Sequence, residues 1–290
     1  MKTYNTINLE KKTKISGYLK RWKSIIYTVL AALLSLIVLI PLYWVISTSL
    51  KDRAQVIENP LGPPVEFHWE NYPEAWETGR FGPYFRNSVL ITVPTVLGVL
   101  MFSFSAAFAF SILNFPFKEG LYVFFITGLT IPLGVLVVPL YYQMLDLKLL
   151  DTHWAIILPQ IAVVIPFGIM LLRSFIQEIP SEILDAGRVD GCSNWLLLRH
   201  IVFPLSRSAL LSLMVFEFMW SWNEFLLPVV LLQTERVRTL PLGLNFFHGR
   251  FSTNFPLLMA GAVISFLPVV IVYILFQRQF VRGITAGALK

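Results

Sequence analysis

Long apolar stretches free of formal charge divide the chain into blocks. Residues 24–50, 87–117, 120–145, 154–172 and 251–277 contain no Asp, Glu, Lys or Arg. A sixth block, 207–234, opens on Arg207 and is otherwise interrupted only by Glu217 and Glu224. A helix of roughly 20 residues crosses a bilayer core of about 30 Å. Lipid offers the backbone no hydrogen-bond partner, so such blocks must be helices rather than open strands. The pattern therefore predicts an all-α, polytopic membrane protein with six transmembrane helices. Several blocks exceed one crossing and must tilt or run past the lipid. Pro41, Pro132, Pro139, Pro166, Pro228 and Pro268 fall inside them. Each lacks a backbone donor and is expected to bend its helix.

Composition supports this division. Of the 290 residues 56% are hydrophobic and only 14% charged, against about 25% charged in a soluble domain. The mean hydropathy is +0.68. A surface so poor in charge has to face something other than water. The single cysteine, Cys192, excludes an intramolecular disulfide and a CxxC metal site. The block at 24–50 is too long for the apolar part of a signal peptide and has no small-residue cleavage site, so it reads as a retained span.

Charge then sets the orientation. Residues 1–23 carry Lys2, Lys11, Lys12, Lys14, Lys20, Arg21 and Lys23 against Glu10 alone. The loop at 51–81 carries three basic and six acidic residues. Basic segments stay inside, which makes 1–23 a cytoplasmic N-terminus and 51–81 an extracytoplasmic loop. Six crossings return the C-terminal tail, 282–290, to the cytoplasm. Arg236, Arg238 and Arg250, in a loop placed outside, run against this trend. The net charge of +6 is read as a topology signal against anionic lipid, and no fold signature supports nucleic-acid binding.

One cytoplasmic stretch, 173–207, is longer than a bare helix connection and carries helix signals of its own. Pro180 and Ser181 suit a helix N-terminus, and Glu182 in the first turn favours the dipole. Gly191 suits a chain reversal at positive φ. Ser193 can cap a second short helix that stops before Pro204. Ile183, Leu184 and Ala186 with small Gly187 give the first helix a compact face. The pair reads either as a knob for a partner's cleft or as an amphipathic segment resting on lipid.

Within the spans, polar groups are expensive and point to function by default. Glu217 sits mid-block, and Asn223 and Glu224 lie further along. The spacing of Glu217 and Glu224 predicts one shared helix face, lining an aqueous pathway or meeting a partner. The plainer reading of Glu217 is a structural carboxyl, paired or protonated. No catalytic or metal-binding constellation is visible: there is no P-loop, no HExxH, and His68, His153, His200 and His248 are scattered. Aromatic residues such as Trp44, Trp154, Trp220 and Trp222 suit sugar stacking, but interface belts and packing account for them more simply.

Asp185-Ala186-Gly187, Asp190-Gly191 and Ile201-Val202-Phe203-Pro204 together resemble the EAA motif of ATP-binding-cassette importer permeases. That motif runs Glu-Ala-Ala, a short spacer, Asp-Gly and then Ile-x-x-Pro, in a cytoplasmic loop before the penultimate span. Here Asp185 replaces the Glu and Gly187 the second Ala, which keeps charge sign and small size. Asn87-Ser88 with 106–109, and Leu150-Asp151-Thr152 before Trp154, resemble the family's second and fourth spans. Trp222-Asn223-Glu224-Phe225 is similar to the Trp-Asn-Asp segment of its carbohydrate branch, and 283–290 to the tail of the maltose-type inner-membrane subunit.

The resemblance implies a type I importer permease, with a MetI-like core of five helices at 82–281 preceded by the helix at 24–50. It implies four kinds of partner in a bacterial inner membrane: a second homologous permease, two ATPase subunits, an extracytoplasmic solute-binding protein and a carbohydrate cargo, with lipid around them. ATP and Mg²⁺ would be bound by the ATPases and no cofactor by this chain. Glu182, Asp185, Ala186, Gly187, Asp190, Gly191 and Pro204 would form the ATPase-coupling loop. Glu217, Asn223 and Glu224 would belong to the translocation pathway, and Glu217 departs from the small or amide residue usual there. On the residues alone, an ion-coupled secondary transporter and a non-transporting scaffold remain open. The first should carry inverted repeats and its own ion site, and neither is evident.

Overall fold

The computed structural model describes the backbone of residues 2–249 and 253–288 and the side chains of 25–249 and 253–277. The side chains of the basic stretch 1–23, of Arg250 and of the tail 282–290 lie outside the described residues.

The chain is helical, and among the described residues there is no strand. A long helix, α1 (Lys2–Ser49), leads into a surface segment holding α2 (Arg53–Glu58) and α3 (Asn71–Thr78). Then come α4 (Phe81–Ile112), α5 (Lys118–Thr127), α6 (Leu133–Asp146) and α7 (Trp154–Ile176). The stretch 173–207 folds into α8 (Ser181–Val189), α9 (Asn194–Leu196), a π-helical segment (Leu197–Val202) and α10 (Phe203–Leu205). The chain ends through α11 (Arg207–Trp222), α12 (Leu226–Leu231), two 3₁₀ turns and α13 (Phe255–Ala288).

Among the described residues four helices are long and apolar enough to span a membrane alone: Ile25–Ser49 of α1, α4, α7 and Phe255–Gln277 of α13. Two further crossings are built from bent pairs, Lys118–Thr130 with Leu133–Asp146 at 100° and Asn194–Leu205 with Arg207–Trp222 at 76°. The number of crossings is thus four to six. The first bend has a local cause. Pro132 forces the residue before it out of the helical region, and Ile131 is extended at φ −91° and ψ 112°. Pro41, Pro139, Pro166 and Pro268 are instead carried inside continuous helices.

Three apolar layers fix the bundle. At one end Phe81, Tyr84, Trp222, Leu240, Phe247 and Leu257 pack together. In the middle Ile91 meets Ile156, Ile157, Leu227 and Leu231. At the other end Phe104 and Phe108 meet Leu172, Ile176, Leu184, Leu197 and Leu213. Matching early with early and late with late residues shows that α4 and α7 run parallel, with α11 antiparallel to both. Their contact is close: a Cβ on Gly168 would lie 2.3 Å from Ser103 Oγ and 3.1 Å from Leu213 Cδ2.

The helix α1 runs beside α13, yet residues 25–43 are exposed along the whole stretch. Such an apolar surface needs lipid or another membrane subunit around it. Its end is clipped to the surface segment. Asn71 Nδ2 donates to the carbonyls of Ser49 (2.9 Å) and Lys51 (2.8 Å), and buried Lys51 Nζ donates to the Asn59 carbonyl at 2.7 Å.

Candidate coupling and pathway sites

The α8–α9 hairpin is locked by its own backbone. The Cys192 N–H donates to the Gly187 carbonyl (2.9 Å) and the Gly191 N–H to the Arg188 carbonyl (3.0 Å). This bond pair is a Schellman closure, which requires a left-handed residue after the helix. Gly191 supplies it at φ +84°. Ser193 Oγ then accepts from the Leu196 N–H and starts the second helix, as its sequence position predicts. The second helix does not stop before Pro204. It runs on to Leu205 through a wider π-helical turn at Leu197–Val202, with Pro204 in the first turn of the α-helical segment that follows.

The first helix is not apolar on one face only. Leu184 and Gly187 turn inward, while Glu182, Ile183, Asp185, Ala186, Val189, Asp190 and Gly191 are exposed. Gly187 is where the two helices touch, since a Cβ there would meet Ile201 Cδ1 at 2.5 Å and Leu197 Cδ2 at 2.8 Å. Outside, Val189 is 87% exposed and Ile183 41%, beside an Asp185–Arg188 ion pair of 2.8 Å. The knob thus offers an apolar tip with an acidic rim. Its inner side joins the same apolar cluster as Phe108, Leu172, Ile176 and Leu213, and at its foot the Phe203 ring meets Phe104 of α4 edge-on. Pro204 is exposed at the foot of this element.

Toward the opposite end α11 stops at Trp222, and Asn223 and Glu224 form a turn before α12. Glu217 and Glu224 therefore do not share a helix face: the helix that would align them ends between them. Glu224 Oε1 accepts from the Leu227 N–H at 3.0 Å and so caps α12. Asn223 is exposed, its amide held on the Met219 carbonyl at 2.8 Å. Glu217 is fully buried, and neither carboxyl oxygen has a hydrogen-bond partner among the described residues. One turn on, Ser221 Oγ donates to Gln160 Oε1 at 2.8 Å and lies 3.4 Å from Thr92 Oγ1. These groups form a polar seam within the core of α4, α7 and α11.

Two residues that the sequence marked without a role turn out to hold the loops at the end opposite the knob. Asn87 Nδ2 donates to the carbonyls of Arg236 and Arg238, each at 2.9 Å. Asp151 Oδ1 accepts from the N–H groups of Gln233 (2.8 Å) and Thr234 (2.9 Å). Burial pushes the Asp151 carboxyl up, but these bonds and the Arg236 charge outweigh it and hold the group below its ordinary value. The signal available was an Asp beside Thr in a short loop, which only the fold joins to residues 233 and 234. Asp151→Ala should hand these two exposed amides to water and loosen this loop by about 1 kcal/mol. Faster hydrogen exchange at Gln233 and Thr234, with exchange in α4 unchanged, is the expected readout.

The family described as "Binding-protein-dependent transport system inner membrane component" matches residues 100–286. The chain belongs to this family. It is thus a non-catalytic membrane permease of an ATP-binding-cassette importer, which sets aside the carrier and scaffold readings. An ABC transporter permease of Caldicellulosiruptor sp. (strain Rt8B.4) is 35% identical, over 93% of this chain and 97% of the relative. The melibiose/raffinose/stachyose import permease of Bacillus subtilis is 30% identical, over 91% and 96%. The diacetylchitobiose uptake permease NgcG of Streptomyces coelicolor is 30% identical, over 90% and 87%. In fold, the permease matches a chain of a bacterial alginate importer with a TM-score of 0.78 at 24% identity, over 90% of this chain and 97% of that one.

Proposed function

We propose that the permease forms half of a translocation pathway for an oligosaccharide and couples ATPase closure to alternating access through α8. The observation that carries this reading is the knob itself: a hairpin fixed by its own backbone, exposed on one side and on the other continuous with the apolar cluster of α4, α7 and α11. The names of the relatives, which include importers of arabinooligosaccharides and of raffinose-type sugars, support the cargo class.

In this reading each bent pair counts as one crossing, giving six, with both termini and the knob in the cytoplasm. The helix at 24–50 precedes a five-helix core at 82–281, and 51–81 lies outside. A second, homologous permease completes the pathway and covers part of its exposed apolar surface. Two ATPase subunits hold ATP and Mg²⁺, and one receives Glu182, Asp185, Ala186, Asp190 and Gly191 in a cleft, with Gly187 and Pro204 shaping the knob. A solute-binding protein delivers cargo from outside. A two-state bundle biased by a partner is sufficient for such coupling. Asn223 and Glu224 stand at the α11–α12 bend beside the pathway. Glu217, buried in this conformation, joins the pathway when α11 turns in the switch.

Purification through this chain from membranes of its native host tests the proposal. A second permease and an ATPase should co-purify, and an oligosaccharide-loaded binding protein should stimulate ATP hydrolysis. A chain that purifies alone, or a complex indifferent to every oligosaccharide tried, would contradict it.

A further inference from the structure

At the end of the bundle opposite the knob lies a cavity of about 390 Å³, where α4 and α7 begin and the loop before residue 238 folds back. Arg86 and Arg236 line it with Asn87, Asp151, His153 and Trp154. Three arginines elsewhere find carboxylates, Arg80 with Glu235, Arg173 with Glu119 and Arg188 with Asp185, and Arg53, Arg199, Arg207 and Arg238 make no ion pair among the described residues. Neither Arg86 nor Arg236 makes such an ion pair among the described residues. The one carboxylate of the lining, Asp151, already accepts two backbone N–H groups. The Asn87 amide donates to two loop carbonyls, so its oxygen is left to accept from His153 Nε2 at 3.2 Å. Burial of His153, reinforced by the nearby Arg86 and Arg236 charges, shifts its pKa down and favours the neutral ring. Two guanidiniums against one hydrogen-bonded carboxylate leave the cavity positive. Guanidinium groups bind planar oxyanions in pairs of parallel bonds.

The second property of the cavity is its position. Trp154 is the first residue of α7 and is 54% exposed, and Leu90, one turn past Arg86 in α4, is 43% exposed. An aromatic at a helix start beside an exposed apolar residue is the composition of a membrane–water boundary. The α7 N-terminus adds its positive dipole end to the same place. We propose that this cavity is an oxyanion site, taking either the carboxylate of an acidic sugar or the phosphate of an anionic lipid headgroup. The inference rests on this end of the fold and is independent of the coupling role given to α8.

The test uses the complete transporter in nanodiscs. Glucuronate, inorganic phosphate and glucose are titrated into complexes held in phosphatidylcholine, and again with phosphatidylglycerol present; native mass spectrometry counts retained lipid. The expected result is saturable binding of at least one of glucuronate, phosphate or phosphatidylglycerol, weakened at least about tenfold in Arg86→Gln/Arg236→Gln. Soluble-anion binding that persists beside phosphatidylglycerol identifies an acidic solute as the source. Retained phosphatidylglycerol that blocks the soluble anions identifies lipid. No anion bound, or equal binding in the double variant, overturns the proposal. Should that variant not assemble, wild-type binding decides: a response to glucose equal to that for glucuronate overturns it equally.

Discussion

Gly191→Val should abolish transport-coupled ATP hydrolysis while the permease still inserts in the membrane. The residue closes the α8 hairpin at φ +84°, a conformation that costs an ordinary residue roughly 1–2 kcal/mol and a β-branched one more. An added Cβ would meet nothing within 4 Å, so the effect arises from the backbone and not from a clash. Valine would favour an extended conformation, release the Cys192–Gly187 bond and turn the exposed face of α8 away from its present direction. The spans themselves do not depend on that bond. We expect at least about a tenfold fall in ATPase stimulation by cargo-loaded binding protein, with the amount of membrane-inserted permease unchanged. Gly191→Asn should retain much of the coupling, because asparagine tolerates the left-handed region. Equal loss in both variants would point to something other than the turn.

Gly168→Leu should damage the fold itself. The glycine sits at the closest approach of α7 to α4, with Ser103 Cβ 2.7 Å from where its own Cβ would be. Leucine would have to push apart the parallel pair on which the other spans pack. Overpacking of a filled core costs about 1–3 kcal/mol and more when backbones must separate. Taking about 3 kcal/mol, thermal unfolding of the purified complex should fall by roughly 6–12 °C. Shrinking the opposing residue should relieve a smaller insertion: Ser103→Gly combined with Gly168→Ala should unfold close to the wild type. An unaltered melting temperature in Gly168→Leu would show that α4 and α7 are not packed as described.

Much of this was legible in residue pattern, and the reasons differ by element. The spans announce themselves through missing charge, which lipid demands whatever the tertiary arrangement. The hairpin was legible because Gly191, Ser193 and Glu182 are local signals, each acting within a few residues of itself. Those signals did not reveal that the second helix would pass through Pro204, since a π-helical turn leaves no mark in composition. Nor did apolar character show which side of α8 faces in: Ile183 and Leu184 are neighbours in sequence, yet Ile183 is exposed and Leu184 buried. Glu217 and Glu224 illustrate the main failure. Their spacing implies a common face only if the helix continues, and the turn at Asn223 is a tertiary choice, stabilised when Glu224 caps α12. The loop-holding roles of Asn87 and Asp151 depend on contacts across 149 and 82 positions of sequence, beyond the reach of any local signal.

The account turns on what the exposed side of α8 touches. Ala186 is exposed and small, and Cys192 is the single cysteine, so Ala186→Cys in a Cys192→Ser background gives one thiol on that side. In membranes holding the assembled transporter, a short bifunctional thiol reagent should join this position to an ATPase subunit carrying a cysteine in its cleft, with a yield that changes when ATP is added. A thiol that instead reacts with a membrane-impermeant reagent from outside intact cells, or that joins no ATPase at any nucleotide state, would contradict the coupling role.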